Sequence, residues 1–298
     1  MLSLAALRYR NVLASAGGPI ERLEIADAKV LGERCFLANA YLAGELVGNR
    51  EDRALYSRAS GSGTDASPRV ARFKAVAEAS ERWAHWQAHT GPERHKYGFD
   101  VDPSSNGLAA FPGLWRRQAR VAAQMEATER FNLLNWWEGR LAALETETRW
   151  PGVRAAVICS QAPGITVILF KRTDAGFVAY GCAAAVDFDA ACRKAAVEME
   201  RHAQVVTKFA LAHAGRIRDQ LPASAHPLER RSLFFALEEG HELFLARLRS
   251  PARAGAELKL VYDGPVPGPW TRYADVWRVV YAPPSRRFLG VEENYFML

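Results

Sequence analysis

Two six-residue segments of this chain repeat one charge pattern 48 residues apart. The segments are Glu78-Ala-Ser-Glu81-Arg82-Trp83 and Glu126-Ala-Thr-Glu129-Arg130-Phe131. On an α-helix, residues three and four positions apart lie on one face, so each segment would direct two carboxylates and one guanidinium the same way. The repeat therefore favours a fold in which two long helices each present an acidic face.

These acidic faces allow two interpretations. On exposed helices, Glu78–Arg82 and Glu126–Arg130 would be i,i+4 salt bridges that stabilise a helix by only ~0.3–0.5 kcal/mol each. If the two faces meet, their carboxylates repel one another unless they take up protons or bind hard divalent cations. The matched pair of motifs favours this second interpretation, in which Mg²⁺ holds a polyphosphate and the arginines contact its oxygens.

Helix and strand signals surround both motifs. Ser67 before Pro68 predicts a helix N-terminus, because serine caps helices and proline suits the first helical position. Apolar spacing continues this helix for roughly five turns, ending before Gly91. The glycine-rich segment 61–65 in front of it is interpreted as a turn. Two more helices are predicted over about 113–142 and 189–213, and strands within 151–170, 176–181 and 276–283.

The alternation of strand pairs with long helices predicts an α/β (α+β) fold of mixed sheets. No linker-like composition divides the chain, although segment 216–233, which contains Pro222 and Pro227, has the character of a long excursion. Residues 1–298 are therefore expected to form a single domain.

The composition predicts an ordinary globular protein of the cytoplasm. No apolar run approaches the ~18 residues of a membrane-spanning helix, and the N-terminus lacks a secretory signal. The four cysteines have no C-x-x-C spacing and are interpreted as buried thiols in a reducing compartment; they are Cys35, Cys159, Cys182 and Cys192. The net charge of +6 comes from scattered arginines without an aromatic-interleaved basic motif, which argues against a nucleic-acid partner.

Three ordered blocks resemble the YcaO family. They are Ala71-x-x-Lys74-Ala-x-Ala-Glu78-Ala-x-Glu81-Arg82, Ser105-Asn106-Gly107-Leu108-Ala109-Ala110 and Ala119-x(6)-Glu126-x-x-Glu129-Arg130. The resemblance extends from about residue 58 to 204. It implies a YcaO-like fold and an enzyme that uses ATP and Mg²⁺ to phosphorylate the oxygen of a peptide backbone amide after a nucleophile has added to the carbonyl. Loss of phosphate then yields an azoline, a thioamide or an amidine, mostly in ribosomally made peptides.

The resemblance also implies site residues. The metal ligands would be Glu78, Glu81, Glu126, Glu129 and Glu198. The nucleotide-binding residues would be Lys74, Arg82, Ser105, Asn106, Arg130 and Arg201. Arg8 or Arg10 would supply the basic residue that many members carry near the N-terminus. The glycine turn at 61–64 is a further, weaker candidate for phosphate contact.

Two departures from the family pattern bear on the chemistry. Arg201 stands where the family's third acidic helix has glutamine in Glu-x-x-Gln, and the chain finishes Glu293-Asn-Tyr-Phe-Met-Leu298 instead of an alternating proline tail. The product class is therefore left open, and a non-catalytic YcaO-like scaffold remains an alternative. Because no separate peptide-recognition module is evident, a substrate-delivering partner protein is predicted for the peptide or protein substrate, and a homodimer is compatible with the sequence.

Overall fold

The computed structural model describes residues 3–47, 55–56, 58–213 and 226–296. The chain packs as two compact units. Unit 1 comprises Met1–Glu51, Arg58–Ala127 and Lys259–Ala282, and unit 2 comprises Asp52–Ser57, Thr128–Leu258 and Pro283–Leu298. The single domain expected over residues 1–298 is not tested by this division and stays a prediction.

The described ranges contain six α-helices. These are α1 (Ala5–Arg8), α2 (Pro68–Thr90), α3 (Arg117–Trp137), α4 (Phe188–Ala212), α5 (Pro227–Ala236) and α6 (Glu238–Leu248). Helix α2 begins where the sequence predicted, and the Ser67 hydroxyl accepts a hydrogen bond from the Val70 amide at 3.5 Å. Helix α4 is also confirmed, whereas α3 is shorter at both ends than the predicted 113–142.

Ten strands form three antiparallel sheets. The strands are β1 (Ile20–Val30), β2 (Glu33–Leu42), β3 (Gly61–Asp65), β4 (Leu108–Phe111), β5 (Leu144–Glu147), β6 (Arg154–Ile158), β7 (Ile165–Arg172), β8 (Val178–Ala185), β9 (Leu260–Pro265) and β10 (Asp275–Tyr281). The sheet orders are β1-β2-β3, β4-β10-β9 and β5-β6-β7-β8. This combination of helices and sheets confirms the predicted mixed α/β class.

In unit 1, helix α2 packs across β2 and β3. Two glycines of β3 make this contact possible. An added Cβ at Gly61 would lie 2.2 Å from the carbonyl oxygen of Ala75, and one at Gly63 would lie 2.2 Å from that of Ala71. The prediction of a turn at 61–65 is therefore wrong. These glycines are strand residues that allow the helix backbone to approach the sheet closely.

A short strand that the sequence analysis missed lies in the second sheet of unit 1. Strand β4 pairs with β10 directly after the Ser-Asn-Gly block. Gly107 has φ = 74°, and an added Cβ would lie 2.1 Å from the Val279 carbonyl oxygen, so a side chain is excluded there. The fully buried Arg278 donates to the carbonyl oxygens of Asp102 at 2.6 Å and Ser104 at 3.0 Å. The block is therefore held in a fixed conformation.

Unit 2 repeats the plan of a helix lying on an antiparallel sheet. Helix α4 packs across β7 and β8. An added Cβ at Gly181 would lie 2.1 Å from the carbonyl oxygen of Ala195, which is the same close approach that Gly61 and Gly63 provide in unit 1. Trp136 is fully buried in this unit, where its ring contacts Phe244 at a centroid distance of 5.5 Å.

Helices α5 and α6 were not predicted from the sequence. In segment 216–233, which was predicted to be a long irregular connection, the described part begins at His226, and this residue caps α5. Residues 216–225 lie outside the described ranges. Within α5, the buried Arg231 donates to the carbonyl oxygens of Phe288, Gly290 and Glu292 at 2.7–3.1 Å. These bonds fix the C-terminal segment of unit 2 to the helix.

The predictions about membranes and cysteines can be compared with these elements. Of the helices in the described ranges, none combines the length and the apolar character needed to cross a membrane. The four cysteines are free, and Cys35 and Cys192 are buried as predicted. Cys159 is exposed, so the interpretation of it as a buried thiol is wrong; it lies just after β6, where the chain leaves the sheet.

Candidate functional site

The first glutamate of helix α2 is oriented by the neighbouring strand. The Ser62 amide of β3 donates to Glu78 Oε2 at 2.9 Å. On the other oxygen, Arg82 Nη2 lies 3.7 Å from Glu78 Oε1, so the i,i+4 salt bridge of the exposed-helix interpretation is present but long. Glu78 is therefore held by the sheet on one side and neutralised by its own helix on the other.

Arg82 connects the helix motif to the Ser-Asn-Gly block. Its Nη1 donates to Ser105 Oγ at 2.8 Å, while the guanidinium remains close to Glu78. The Arg82 side chain is 45% exposed. Asn106 is exposed, and its backbone amide donates to Ser104 Oγ at 3.2 Å. The structure thus brings together three residues that the sequence analysis assigned to nucleotide binding or metal ligation, namely Glu78, Arg82 and Ser105.

Glu81 is a strongly perturbed acid of unit 1. The Ala110 amide at the end of β4 donates to Glu81 Oε1 at 2.8 Å. Burial, followed by the negative charges of Glu126 and Glu78, nevertheless raises the pKa of Glu81 well above its usual range. The carboxylates of Glu81 and Glu78 on α2 and of Glu126 on α3 are therefore close enough to repel one another.

This crowding indicates what the unit 1 cluster could hold. A cation beside Glu81 and Glu126 would relieve the repulsion that raises the pKa of Glu81. Across the described ranges, no three His, Cys, Asp or Glu side chains are already arranged as a metal site. Mg²⁺ in nucleotide sites is usually held by one or two carboxylates, with phosphate oxygens and water completing its shell. The chemistry of these carboxylates therefore fits Mg²⁺ bound with a polyphosphate.

The acidic residues of unit 2 form a second group. The Ala184 amide of β8 donates to Glu129 Oε2 at 3.2 Å, which repeats the strand-to-glutamate bond seen at Glu78. Burial, with added repulsion from Glu129 and Glu198, raises the pKa of the Cys182 thiol well above its usual range. Glu129 and Glu198 thus lie around the half-buried Cys182 of β8, whose thiol stays protonated and unreactive as a nucleophile.

Arg130 and Arg201, the two arginines of unit 2 that were predicted to bind nucleotide, have different surroundings. Arg201 Nη1 donates to Glu198 Oε1 at 3.0 Å within helix α4, so this arginine neutralises a predicted metal ligand. Arg130 is only 9% exposed, and its guanidinium lies 4.7 Å from the ring centre of Phe288. An aromatic ring of the C-terminal segment therefore fixes Arg130, a contact that the motif alone could not indicate.

The structure places the remaining predicted residues as follows. Lys74 Nζ donates to the Thr64 carbonyl oxygen at 3.0 Å and lies 2.9 Å from Asp65 Oδ2, so its ammonium group is held at the end of β3. Arg8 donates to Asp275 Oδ2 at 2.8 Å and also to two backbone carbonyl oxygens, which gives it an architectural role within unit 1.

One residue near the cluster was missed by the sequence analysis. Tyr9 is 7% exposed, and burial together with the charge of Glu81 raises the pKa of its hydroxyl. No hydrogen-bond partner of this hydroxyl occurs in the part of the chain that the structure describes. Nothing local marks Tyr9, because its proximity to Glu81 depends on how the N-terminal segment packs against α2. The backbone donors of Ser62, Ala110 and Ala184 were missed for the same reason.

Comparison with known proteins supports the fold. No protein-family model and no curated protein matches the chain. The structure of YcaO from Methanopyrus kandleri bound with AMPPCP and Mg²⁺ matches with a TM-score of 0.51 at 13% identity, covering 97% of this chain and 91% of that one. The E. coli microcin synthetase McbBCD complex with pro-MccB17 bound matches with a TM-score of 0.51 at 12% identity, covering 87% of each chain. The chain therefore has the YcaO fold, and the predicted resemblance is confirmed at that level.

Proposed function

We propose that this chain binds ATP and Mg²⁺ and activates a backbone amide of a peptide or protein by phosphorylating its oxygen. The observation that carries the proposal is the mutual repulsion of Glu81, Glu126 and Glu78, which adds to the desolvation of Glu81, with Arg82 beside Glu78. A protein keeps such like charges together at a cost in stability, which a bound cation would offset. The YcaO fold, seen elsewhere with AMPPCP and Mg²⁺, supports the same assignment.

The roles of the residues follow from their geometry. Strand amides donate to Glu78, Glu81 and Glu129, so each of these carboxylates is held in a fixed orientation in which it is proposed to bind a cation. Glu126 and Glu198 are proposed as further ligands, and Arg82 and Arg130 as phosphate-binding groups. The nucleotide, when bound, supplies the phosphoryl group that turns an amide oxygen into a leaving group. Lys74, Ser105, Asn106 and Arg201 complete the proposed nucleotide-binding set.

The substrate and the partner are proposed at the level of class. The McbBCD complex, which shares the fold, contains several proteins and has been seen with pro-MccB17 bound. By analogy, a separate protein would deliver a peptide substrate to this chain, and the nucleophile would come from the substrate or that partner. Azoline, thioamide and amidine products all remain compatible with the proposed chemistry.

Calorimetric titration of ATP, with and without Mg²⁺, tests the proposal. We expect Mg²⁺-dependent binding to the wild type and at least about tenfold weaker binding, or ~1.4 kcal/mol, in Glu78→Gln and Glu129→Gln. Glu147→Gln is the matched control, because it makes the same change of charge at a glutamate of β5 that is 87% exposed and belongs to neither acidic motif. Absence of binding to a folded wild type, alone and with a co-expressed partner, would contradict the proposal.

A non-catalytic scaffold is the second candidate, and one observation favours it. Arg201 satisfies Glu198 within helix α4, so the acid there is already neutralised without a metal. A scaffold of this kind would bind a partner, with or without nucleotide, and would show no turnover. Phosphate release that depends on both the partner and a peptide substrate would exclude it, whereas nucleotide binding without any turnover under those conditions would favour it.

A further inference from the structure

An exposed apolar patch in unit 1 contains none of the acidic residues assigned to the nucleotide site. Its side chains are unusually open for their size, with Leu7 69%, Leu114 55% and Trp115 64% exposed. Single exposed apolar residues are common on protein surfaces, but a tryptophan grouped with two leucines marks an interaction site more often than chance. We call Leu7, Arg10, Leu114, Trp115 and Arg117 together the Trp115 patch.

Several bonds place the two segments of the Trp115 patch side by side. The Leu4 amide donates to the Pro112 carbonyl oxygen at 2.8 Å, and Ser3 forms an antiparallel bridge with Gly113. Arg8 and Arg116 converge on Asp275, at 2.8 Å and 3.5 Å. The backbone beneath the exposed side chains is thus fixed, so a ligand would meet a preformed surface and lose little affinity to ordering.

The charge around the patch is positive and partly uncompensated. Arg10 and Arg117 are exposed, and neither forms an ion pair with any residue in the described ranges. Arg116 reaches Asp275 only at 3.5 Å, and its side chain is 61% exposed. Such arginines can pair with carboxylates bidentately once an apolar anchor holds a ligand nearby.

The shape and chemistry of the patch select its occupant. Trp115 is the one aromatic side chain of the patch, whereas single-stranded nucleic acid stacks successive bases on several aromatic side chains; aliphatic and aromatic protein side chains pack well on leucine and tryptophan together. Three exposed apolar side chains are too few for the roughly 1,000 Å² of a stable interface between folded proteins, but they suit one anchor residue of a short linear segment. The free arginines require acidic neighbours beside that anchor.

We propose that the Trp115 patch docks an acidic segment of a partner polypeptide. An apolar side chain of that segment packs on Trp115, Leu114 and Leu7, while its flanking carboxylates pair with Arg10 and Arg117. The proposal does not depend on nucleotide binding, because none of these residues belongs to the acidic clusters of α2, α3 and α4.

Selection from a displayed library of random 12-residue peptides on the full-length chain, without nucleotide, tests this proposal. We expect the selected peptides to be enriched in Asp or Glu next to Leu, Phe or Trp. Two selected peptides, labelled with fluorescein, should bind the wild type with an affinity that falls as NaCl rises. Trp115→Ala and Arg117→Glu should each weaken that binding at least about tenfold, a loss typical of an interface anchor.

Matched controls distinguish binding at this surface from nonspecific binding to other exposed apolar or basic residues. Leu144 is 71% exposed in unit 2 and Arg193 is exposed on α4, so Leu144→Ala and Arg193→Glu should leave peptide binding unchanged within about twofold. Thermal melting of each variant checks that it is folded. Peptides without an acidic bias, binding that survives Trp115→Ala, or tighter binding of a 20-residue oligouridylate that depends on the same residues would each overturn the proposal.

Discussion

The two units share a construction but treat their acidic residues differently. In unit 1 the acidic residues repel one another, since desolvation and the charges of Glu126 and Glu78 raise the pKa of Glu81. In unit 2 the Glu198 side chain is 50% exposed and an arginine on the same helix neutralises it. A shared backbone arrangement therefore does not determine the electrostatic environment of the acidic residues. The repulsion at Glu81 in unit 1 is what a bound cation would relieve, whereas Glu198 in unit 2 already has the guanidinium of Arg201 beside it.

The largest effect is expected from the glycine contacts that both units share. Gly63→Val would force a branched side chain into the position where even a Cβ lies 2.2 Å from the Ala71 carbonyl oxygen, so the free energy of unfolding should fall by about 3 kcal/mol or more. Gly181→Val should behave alike in unit 2, where the distance is 2.1 Å. Urea unfolding measures both losses.

Gly44→Ala is the control for these variants, because nothing lies within 4 Å of an added Cβ there. Its free energy of unfolding should stay within about 0.5 kcal/mol of the wild-type value. A wild-type-like Gly63→Val would contradict the close approach of α2 to β3.

A second shared feature is one buried histidine in each unit. Burial lowers the pKa of His85 in unit 1 and of His202 in unit 2 to about 4. A lowered folded-state pKa gives stability that is present above the unfolded pKa of about 6.5 and is lost as the pH falls toward 4. For the fully buried His202 the loss should approach roughly 3 kcal/mol at pH 4, because each pKa unit corresponds to about 1.4 kcal/mol.

Unfolding between pH 7 and 4 measures this loss in the wild type and in His202→Gln. The variant should lose less stability over that range, whatever its stability at pH 7, because glutamine takes up no proton on unfolding. The exposed Gln87 gives a control, since Gln87→Ala changes no titratable group and should keep the wild-type slope. An unchanged slope in His202→Gln would mean that this histidine is not buried in its neutral form.

The repulsion that distinguishes unit 1 from unit 2 can be tested at Glu81. Because its folded-state pKa is raised, the stability it contributes is complete below the unfolded pKa and is lost as the pH rises through the folded pKa. Without ligand, Glu81→Gln should therefore become more stable than the wild type as the pH rises. With Mg-ATP at 100 times its dissociation constant, the wild type should gain about 2.7 kcal/mol, a gain that the variant should largely lose.

Thermal unfolding of both proteins across pH 4 to 8, with and without Mg-ATP, measures the two effects separately. A wild type that is not stabilised by Mg-ATP would count against the proposed nucleotide site. An unchanged pH dependence in Glu81→Gln would instead show that the unit 1 carboxylates do not repel one another.

How much of this could be predicted from the sequence depends on the range of the interaction. Helix α2 and its acidic motif were predictable, because a serine cap, apolar spacing and i,i+3 carboxylates are local signals. Strand β3 was taken for a turn, since Gly61 and Gly63 are selected by the approach of α2, which no local pattern reveals. The donors to Glu81 and Glu129 come from Ala110 and Ala184, and backbone amides carry no sequence signature.

The smallest effect on stability is expected at the residue where unit 2 departs from unit 1. Arg201→Gln removes an i,i+3 pair whose acid is half exposed, so the free energy of unfolding should change by only ~0.3–0.5 kcal/mol. Its effect on ligand binding should be more informative. If Glu198 is a metal ligand that Arg201 restrains, the variant should bind Mg-ATP more tightly in calorimetry, because glutamine leaves the carboxylate charge uncompensated. If Arg201 itself contacts phosphate, binding should weaken instead. An affinity that does not change in either direction would remove both residues from the site and leave the nucleotide to the acids of α2 and α3.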